Sequence, residues 1–333
     1  MPRQPTRAST ATFAKVRLAC AATAALIVLT SAGSRAEAFT PVEAAAILRH
    51  GPWPPPVRKD PSNPASGNAD AIALGKLLFF DARMSPSGRV ACSSCHRPEQ
   101  AWTDGRRTAI GLARTRRNTP TLLDVSLHRR FGWTGGAETL WQQSIRPILD
   151  PAEMGSSAGH VKAHIAADAA RSKLYSAVFG AGIEGKSAPD ALLDAARALA
   201  AYQETIVSPR TRFDALHDAV ASNDAAALSN YPAAARRGLS LFVGAAGCSA
   251  CHSGPAFTDG KLHTVSRVSS RLASERYRTP PLRGTARTAP YMHDGAHPTL
   301  AAAVKAHTSA ARLRSSEIAD LVAFLRTLSE PEK

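Results

Sequence analysis

Cysteine is scarce in this chain. There are five in 333 residues: Cys20 near the N-terminus, and two tight pairs, Cys92/Cys95 and Cys248/Cys251. So few, spaced this way, leave no disulfide framework for the fold. Acidic residues are also short, 26 Asp and Glu against 41 Lys and Arg, for a net charge of +15. No apolar run reaches the roughly 20 residues of a membrane-spanning helix; the run Leu18 to Leu29 is interrupted by Thr23 and stops at Thr30. No stretch alternates as a strand, so the fold class is mainly α. With 44% apolar residues the chain can bury two cores and reads as two domains.

The N-terminus reads as a secretory signal peptide, residues 1–38. Arg3, Arg7, Lys15 and Arg17 precede the short apolar run, and Ala36-Glu37-Ala38 offers an A-x-A cleavage site near Ala38. Cleavage there removes Cys20, five Lys/Arg and one Glu, so +15 becomes +11. On an exported protein without a membrane anchor, such a surface fits an acidic protein partner better than nucleic acid.

The remaining cysteines lie in Cys92-Ser-Ser-Cys95-His96 and Cys248-Ser-Ala-Cys251-His252. C-x-x-C-H is the c-type haem attachment signature: the thiols bind the porphyrin and the His becomes the proximal iron ligand. A zinc site made of both pairs leaves the two histidines unexplained. Two covalent haems, attached after export, place the mature protein in the periplasm. A Pro-rich extended arm (39–67) is expected, then a first haem domain (68–215) and a second (216–333), with the boundary in 208–232. Helical spacing predicts helices over 70–80, 191–206 and 233–243. A closing helix opened by Ser315 or Ser316 carries Ile318, Leu321, Leu325 and Leu328, and packs on the helix before the second motif.

The halves repeat each other. Gly75-Lys-Leu-Leu-Phe79 echoes Gly238-Leu-Ser-Leu-Phe242, and Trp102-Thr-Asp-Gly105 echoes Phe257-Thr-Asp-Gly260. At a constant offset of 160 residues Thr119-Pro120, Leu122, Gly135 and Thr139-Leu140 recur as Thr279-Pro280, Leu282, Gly295 and Thr299-Leu300. After Leu300 the copies diverge. Val304 and His307 continue one helical face, whereas the first copy has Pro147, which cannot ligate iron, where His307 would fall. The haem on His252 is therefore expected to be closed by His307, with His293, His297 and His263 as competitors. The haem on His96 is expected to stay open for peroxide.

These motifs, with Arg117-Asn-Thr-Pro-Thr-Leu122, Phe131-Gly-Trp133, Thr279-Pro-Pro-Leu-Arg283 and Pro290-Tyr-Met-His-Asp-Gly295, resemble the bacterial di-haem cytochrome c peroxidases and MauG-like proteins over most of residues 68–328. The stretch 131–141 looks most like the MbnH-like di-haem enzymes of methanobactin operons. The resemblance implies a peroxidatic haem on His96 and an electron-transfer haem on His252. It puts the second haem's distal ligand, Met or Tyr in relatives, at His307; His lowers a haem potential where Met raises it. The family's distal glutamate aligns near Trp141, where Glu138 is the nearest carboxylate and Gln142 and Gln143 are polar alternatives. Its inter-haem tryptophan aligns with Leu112, leaving Trp102 or Trp133 as aromatic relay. A Ca²⁺ between the domains, held partly by backbone carbonyls, is also implied.

The expected activity is oxidation of a partner protein, tryptophan to kynurenine by this resemblance, driven by hydrogen peroxide through a bis-Fe(IV)-type state. Two alternatives stand beside it: a cytochrome c peroxidase fed by a small cytochrome or cupredoxin, and a non-catalytic di-haem electron carrier.

Overall fold

The structure, a computed structural model, describes residues 39–56, 58–180, 182–264, 275–307 and 313–329. The signal-peptide reading lies outside them. No described helix is long and apolar enough to cross a membrane. The described residues are mainly helical, with one short antiparallel pair, β1 (Leu262–His263) and β2 (Tyr277–Arg278).

Each C-x-x-C-H motif follows a helix that crosses a later one. In the first half, α2 (Ala69–Phe80) is capped by Asn68, whose side chain accepts from the Ala71 amide at 3.0 Å. It buries Ala71, Leu74 and Leu78 completely. Such a Leu is worth roughly 1.5–3 kcal/mol of transfer free energy. Its partner is α7 (Ala188–Gln203), whose Ala195, Ala198 and Leu199 are buried. At the crossing a Cβ on Gly75 would lie 2.0 Å from the Ala198 carbonyl oxygen. In the second half α10 (Ala233–Val243) crosses α12 (Ser315–Arg326), and a Cβ on Gly238 would lie 1.9 Å from the Asp320 carbonyl oxygen. Only glycine permits either contact. The two largest cores among the described residues lie around Leu74, Phe79, Tyr175 and Leu199 and around Phe213, Leu239, Phe242 and Phe324.

The 160-residue offset is visible in the backbone. Phe131 bridges Ala137 as Tyr291 bridges His297, and positive φ recurs at Gly132/Met292 and Gly135/Gly295. Thr139 and Thr299 cap matching helices, α4 (Leu140–Leu149) and α11 (Leu300–Ala306).

Two expectations change. The Pro-rich arm begins with a helix, α1 (Pro41–Leu48), where Thr40 and Glu43 form a capping box and Pro41 opens the first turn. Its Ile47 enters the second core, while Ala65 packs on Ala71 and Ala201 of the first half, so the arm runs over both. The stretch 208–232 holds α8 (Arg212–Ser222) and α9 (Ala225–Ser229). Phe213 and Leu216 of α8 belong to the second core, so the change of core falls between Ile206 and Phe213. The closing helix starts at Ser315, with Arg314 rather than a serine as its cap residue.

Candidate functional site

The short helix α3 (Cys92–Cys95) puts the two thiols one turn apart, and His96 ends it. The His96 Nδ1–H donates to the Trp102 carbonyl at 3.1 Å, which fixes the tautomer and leaves Nε2 as a lone-pair donor. Ala101 and Trp102 both adopt left-handed backbone, φ 51° and 61°, which turns that carbonyl back to the imidazole. Burial lowers the His96 pKa and so favours the neutral form that ligates metal. The Trp102 indole packs edge-on to Phe79 and Tyr202 in the first core.

The second motif repeats this design. The His252 Nδ1–H donates to the Phe257 carbonyl at 3.0 Å, and Phe257 has φ 55°. Burial first, then the neighbouring His307, pushes the His252 pKa down to about 4. His307 caps α11, where its Nδ1–H donates to the Ala303 carbonyl at 2.9 Å. Its ring centroid lies 6.4 Å from that of His252. An imidazole nitrogen sits about 2.0 Å from a bound metal, so two rings on opposite sides of one ion have centroids roughly 6 Å apart. The two ring planes meet at 59°.

A cavity of about 320 Å³ is lined by Cys248, Cys251, His252 and His307, and extends to Thr119 and Trp133 of the first half. Among the described residues the buried Thr119 hydroxyl has no hydrogen-bond partner. Arg278, also lining the cavity, is buried, and among the described residues it has no carboxylate partner. It donates instead to the Thr279 carbonyl at 3.3 Å, and burial pushes its pKa down to about 10. Free thiols, facing imidazoles and an unpaired buried cation fit a haem with its acidic propionates.

Of the other second-half histidines, His263 and His293 also line this cavity, but each has a neighbour of its own. His293 stacks on Tyr277 at 3.8 Å, His263 contacts Asp259 Oδ2 at 2.7 Å, and His297 pairs with Tyr291 through the backbone. Cys251, Asp259 and His263 form the one described group of three close side-chain ligands, but Cys251 belongs to the second motif.

In the first half, Pro147 stands inside α4 at the register of His307. Glu138 is exposed ahead of α4, its amide bonded to Gln142 Oε1 at 3.1 Å. The Trp141 indole N–H reaches Ser62 Oγ at 3.1 Å, and Arg197 lies 5.8 Å above its ring. Among the described residues the buried Gln143 Oε1 has no hydrogen-bond partner. The Trp133 N–H donates to the Asn118 carbonyl at 2.7 Å, and its ring meets His293 edge-on at 6.5 Å. Leu112 is 38% exposed.

Sequence reasoning passed over Glu153. Burial, then Asp150, raises its pKa, and its loop is joined to the first motif through the 110–112 segment, where the Ile110 carbonyl accepts from the Cys95 thiol at 3.9 Å. Its backbone is held by the Leu112 amide, 2.9 Å from the Glu153 carbonyl, and a Cβ on Gly111 would lie 2.5 Å from that oxygen. Glu153 sits on the loop after α4, which carries no helical periodicity; its closeness in sequence to Gln143 was the only available signal.

The family model of the di-haem cytochrome c peroxidases matches residues 69–221. The chain is similar to methylamine utilization protein MauG of Methylorubrum extorquens, 35% identical over 291 residues, covering 79% of this chain and 79% of that protein. It is similar to cytochrome c551 peroxidase of Nitrosomonas europaea, 31% identical, covering 79% of this chain and 80% of that protein. Among solved structures it is similar to a MauG-like protein associated with microbial copper homeostasis. That match has a TM-score of 0.70 and 27% identity, and covers 84% of this chain and 95% of the other.

Proposed function

Since the chain belongs to the di-haem cytochrome c peroxidase and MauG family, we propose that it reduces hydrogen peroxide in the half built on His96 and uses the oxidising power on a partner protein, converting tryptophan to kynurenine. The carrying observation is the inequality of the halves: His307 faces His252 at 6.4 Å, while Pro147 occupies the matching register of the first half.

Two c-type haems supply the redox chemistry and the peroxide-binding iron when bound. The protein's residues do the rest. Cys92, Cys95, Cys248 and Cys251 tether, and His96 and His252 ligate through Nε2 while their Nδ1–H groups stay pinned to carbonyls. His307 closes the second site, and Pro147 leaves the first without a second protein ligand. Glu153 holds its proton to higher pH than a free glutamate, which suits it to shuttle that proton between peroxide oxygens. We assign it that role in place of Glu138. Gln143 Oε1, buried and without a partner among the described residues, offers an acceptor for a peroxide proton. We also propose that the two haem domains, expected at 68–215 and 216–333, meet near residues 207–212, and that the protein is exported to the periplasm.

The test is anaerobic addition of one equivalent of peroxide to the diferric holo-protein. Storage of two oxidising equivalents, followed by oxidation of a tryptophan in a partner protein, is expected. Rapid steady turnover with a small reduced cytochrome and no protein modification would replace this reading with that of a cytochrome c peroxidase, a reading favoured by the 31% identity to one. Two haems inert to peroxide would leave an electron carrier.

A further inference from the structure

At the seam between the halves, Tyr277 and His293 from the second meet Arg117 and Trp133 from the first. Tyr277 is 6% exposed and lines the cavity that holds His252 and His307. Its ring stacks on His293 at 3.8 Å with 20° between planes, and the Arg117 guanidinium lies 5.4 Å from its centroid. The phenol O–H donates to Glu275 Oε2 at 2.5 Å, and the other oxygen of Glu275 is ion-paired with Arg117. Arg117 and Glu275 are 38% and 23% exposed, so the cluster runs from the cavity wall to the surface.

From this geometry we infer that Tyr277 is a redox relay, carrying oxidising equivalents one at a time from the cofactor cavity toward the bound partner, with Glu275 as its proton acceptor. The inference rests on the function proposed above. A phenol gives up an electron far more easily if its proton leaves at the same time, and a short bond to an ionised carboxylate provides that exit. Tyr277 itself favours the acceptor state of Glu275, since the hydrogen bond is the first of the influences lowering that carboxyl's pKa. Trp133 lacks such an exit: its N–H points at the Asn118 carbonyl, which cannot take a proton. Leu112, at the family's inter-haem tryptophan position, offers no redox-active ring.

The step balances. One electron leaves Tyr277 for the peroxide-oxidised haem centre, which is reduced by one. The Oη–H bond breaks and its proton forms an O–H bond on Glu275 Oε2, leaving a neutral tyrosyl radical. An electron from the partner then refills Tyr277, and Glu275 returns the proton. Two such cycles spend one peroxide on a two-electron oxidation; tryptophan to kynurenine, a four-electron change that releases the indole C2 as formate, takes two peroxides and four cycles.

Rapid freeze-quench electron paramagnetic resonance on the peroxide-treated holo-protein tests this, with ring-deuterated tyrosine as the label. A radical signal that narrows on deuteration and is lost in Tyr277→Phe is expected, with normal haem absorbance retained. Glu275→Gln, which keeps a neutral hydrogen-bond partner, should also lower the signal, and it carries the test if Tyr277→Phe fails to fold. A signal that narrows only with deuterated tryptophan, or that persists in Tyr277→Phe, overturns the inference. So does a peroxide-altered Soret band without any tyrosyl signal, leaving the function reading intact. An unaltered Soret band removes both.

Discussion

Replacing Asp214 by Ala should be among the costliest single changes outside the haem motifs. Its two carboxylate oxygens accept from Arg283 at 3.0 and 2.7 Å, and the two side chains are 2% and 0% exposed. Asp214 also accepts from the Thr211 amide at 2.7 Å and its hydroxyl at 3.0 Å, closing the first turn of α8. Arg283 in turn donates to the Pro255 carbonyl at 2.7 Å and lies 3.6 Å from the Trp53 ring centroid. One ion pair thus ties α8, the loop after the second motif and the N-terminal arm together. Leaving a buried guanidinium unpaired costs about 3–5 kcal/mol, and losing the cap adds about 1. The charge of Arg283 also reaches the Asp124 carboxyl, which compensates part of this, so we expect about 4 kcal/mol. A domain stable by only about 5–15 kcal/mol would lose a large share. Urea unfolding of the holo-protein, followed by far-UV dichroism, reads it as a lower midpoint at unchanged slope. The double variant Asp214→Leu/Arg283→Met should recover most of the loss, because it leaves no buried charge. A cost below about 1 kcal/mol for Asp214→Ala would refute the reasoning.

Glu153→Gln should slow the reaction with peroxide by roughly 10²- to 10⁴-fold and leave the resting haem spectra unchanged, while Glu138→Gln should leave both the rate and the spectra unchanged; stopped-flow absorbance checks both. Burial pushes the Asp124 carboxyl up to about 6, against hydrogen bonds from the Ser208 amide and hydroxyl. A folded pKa above the unfolded one means that this group's stabilising contribution is full below about pH 4 and is lost as pH rises through 6. Asp124→Asn should therefore flatten the wild-type decline between pH 4 and 7, worth about 3 kcal/mol at most, as measured by the difference in urea midpoints; parallel curves would refute it.

Much of the fold was legible because it is written in local patterns. The helix expected at 233–243 is α10 to the residue, and 70–80 differs from α2 by one residue at its start. The duplication was legible because turn chemistry repeats at fixed spacing: Gly135 and Gly295 both need positive φ, and Thr139 and Thr299 are both caps. Where proline and alanine compete the reading failed. Seven prolines between residues 41 and 64 masked α1, although Pro41 at the first turn favours a helix there. Glu153 and the Tyr277 cluster were illegible for another reason. Each is assembled by distant segments, Gly111–Ala113 against 152–153, and 117 and 133 against 275–293, and no periodicity encodes such meetings.

The proposed function requires an open first site and a second site closed by His307. The most direct test is the resting ferric spectrum of His307→Ala. One low-spin haem should become high-spin, with the other haem's signal unchanged. A spectrum identical to the wild type would contradict the assignment and move the ligand to another residue, His293 first.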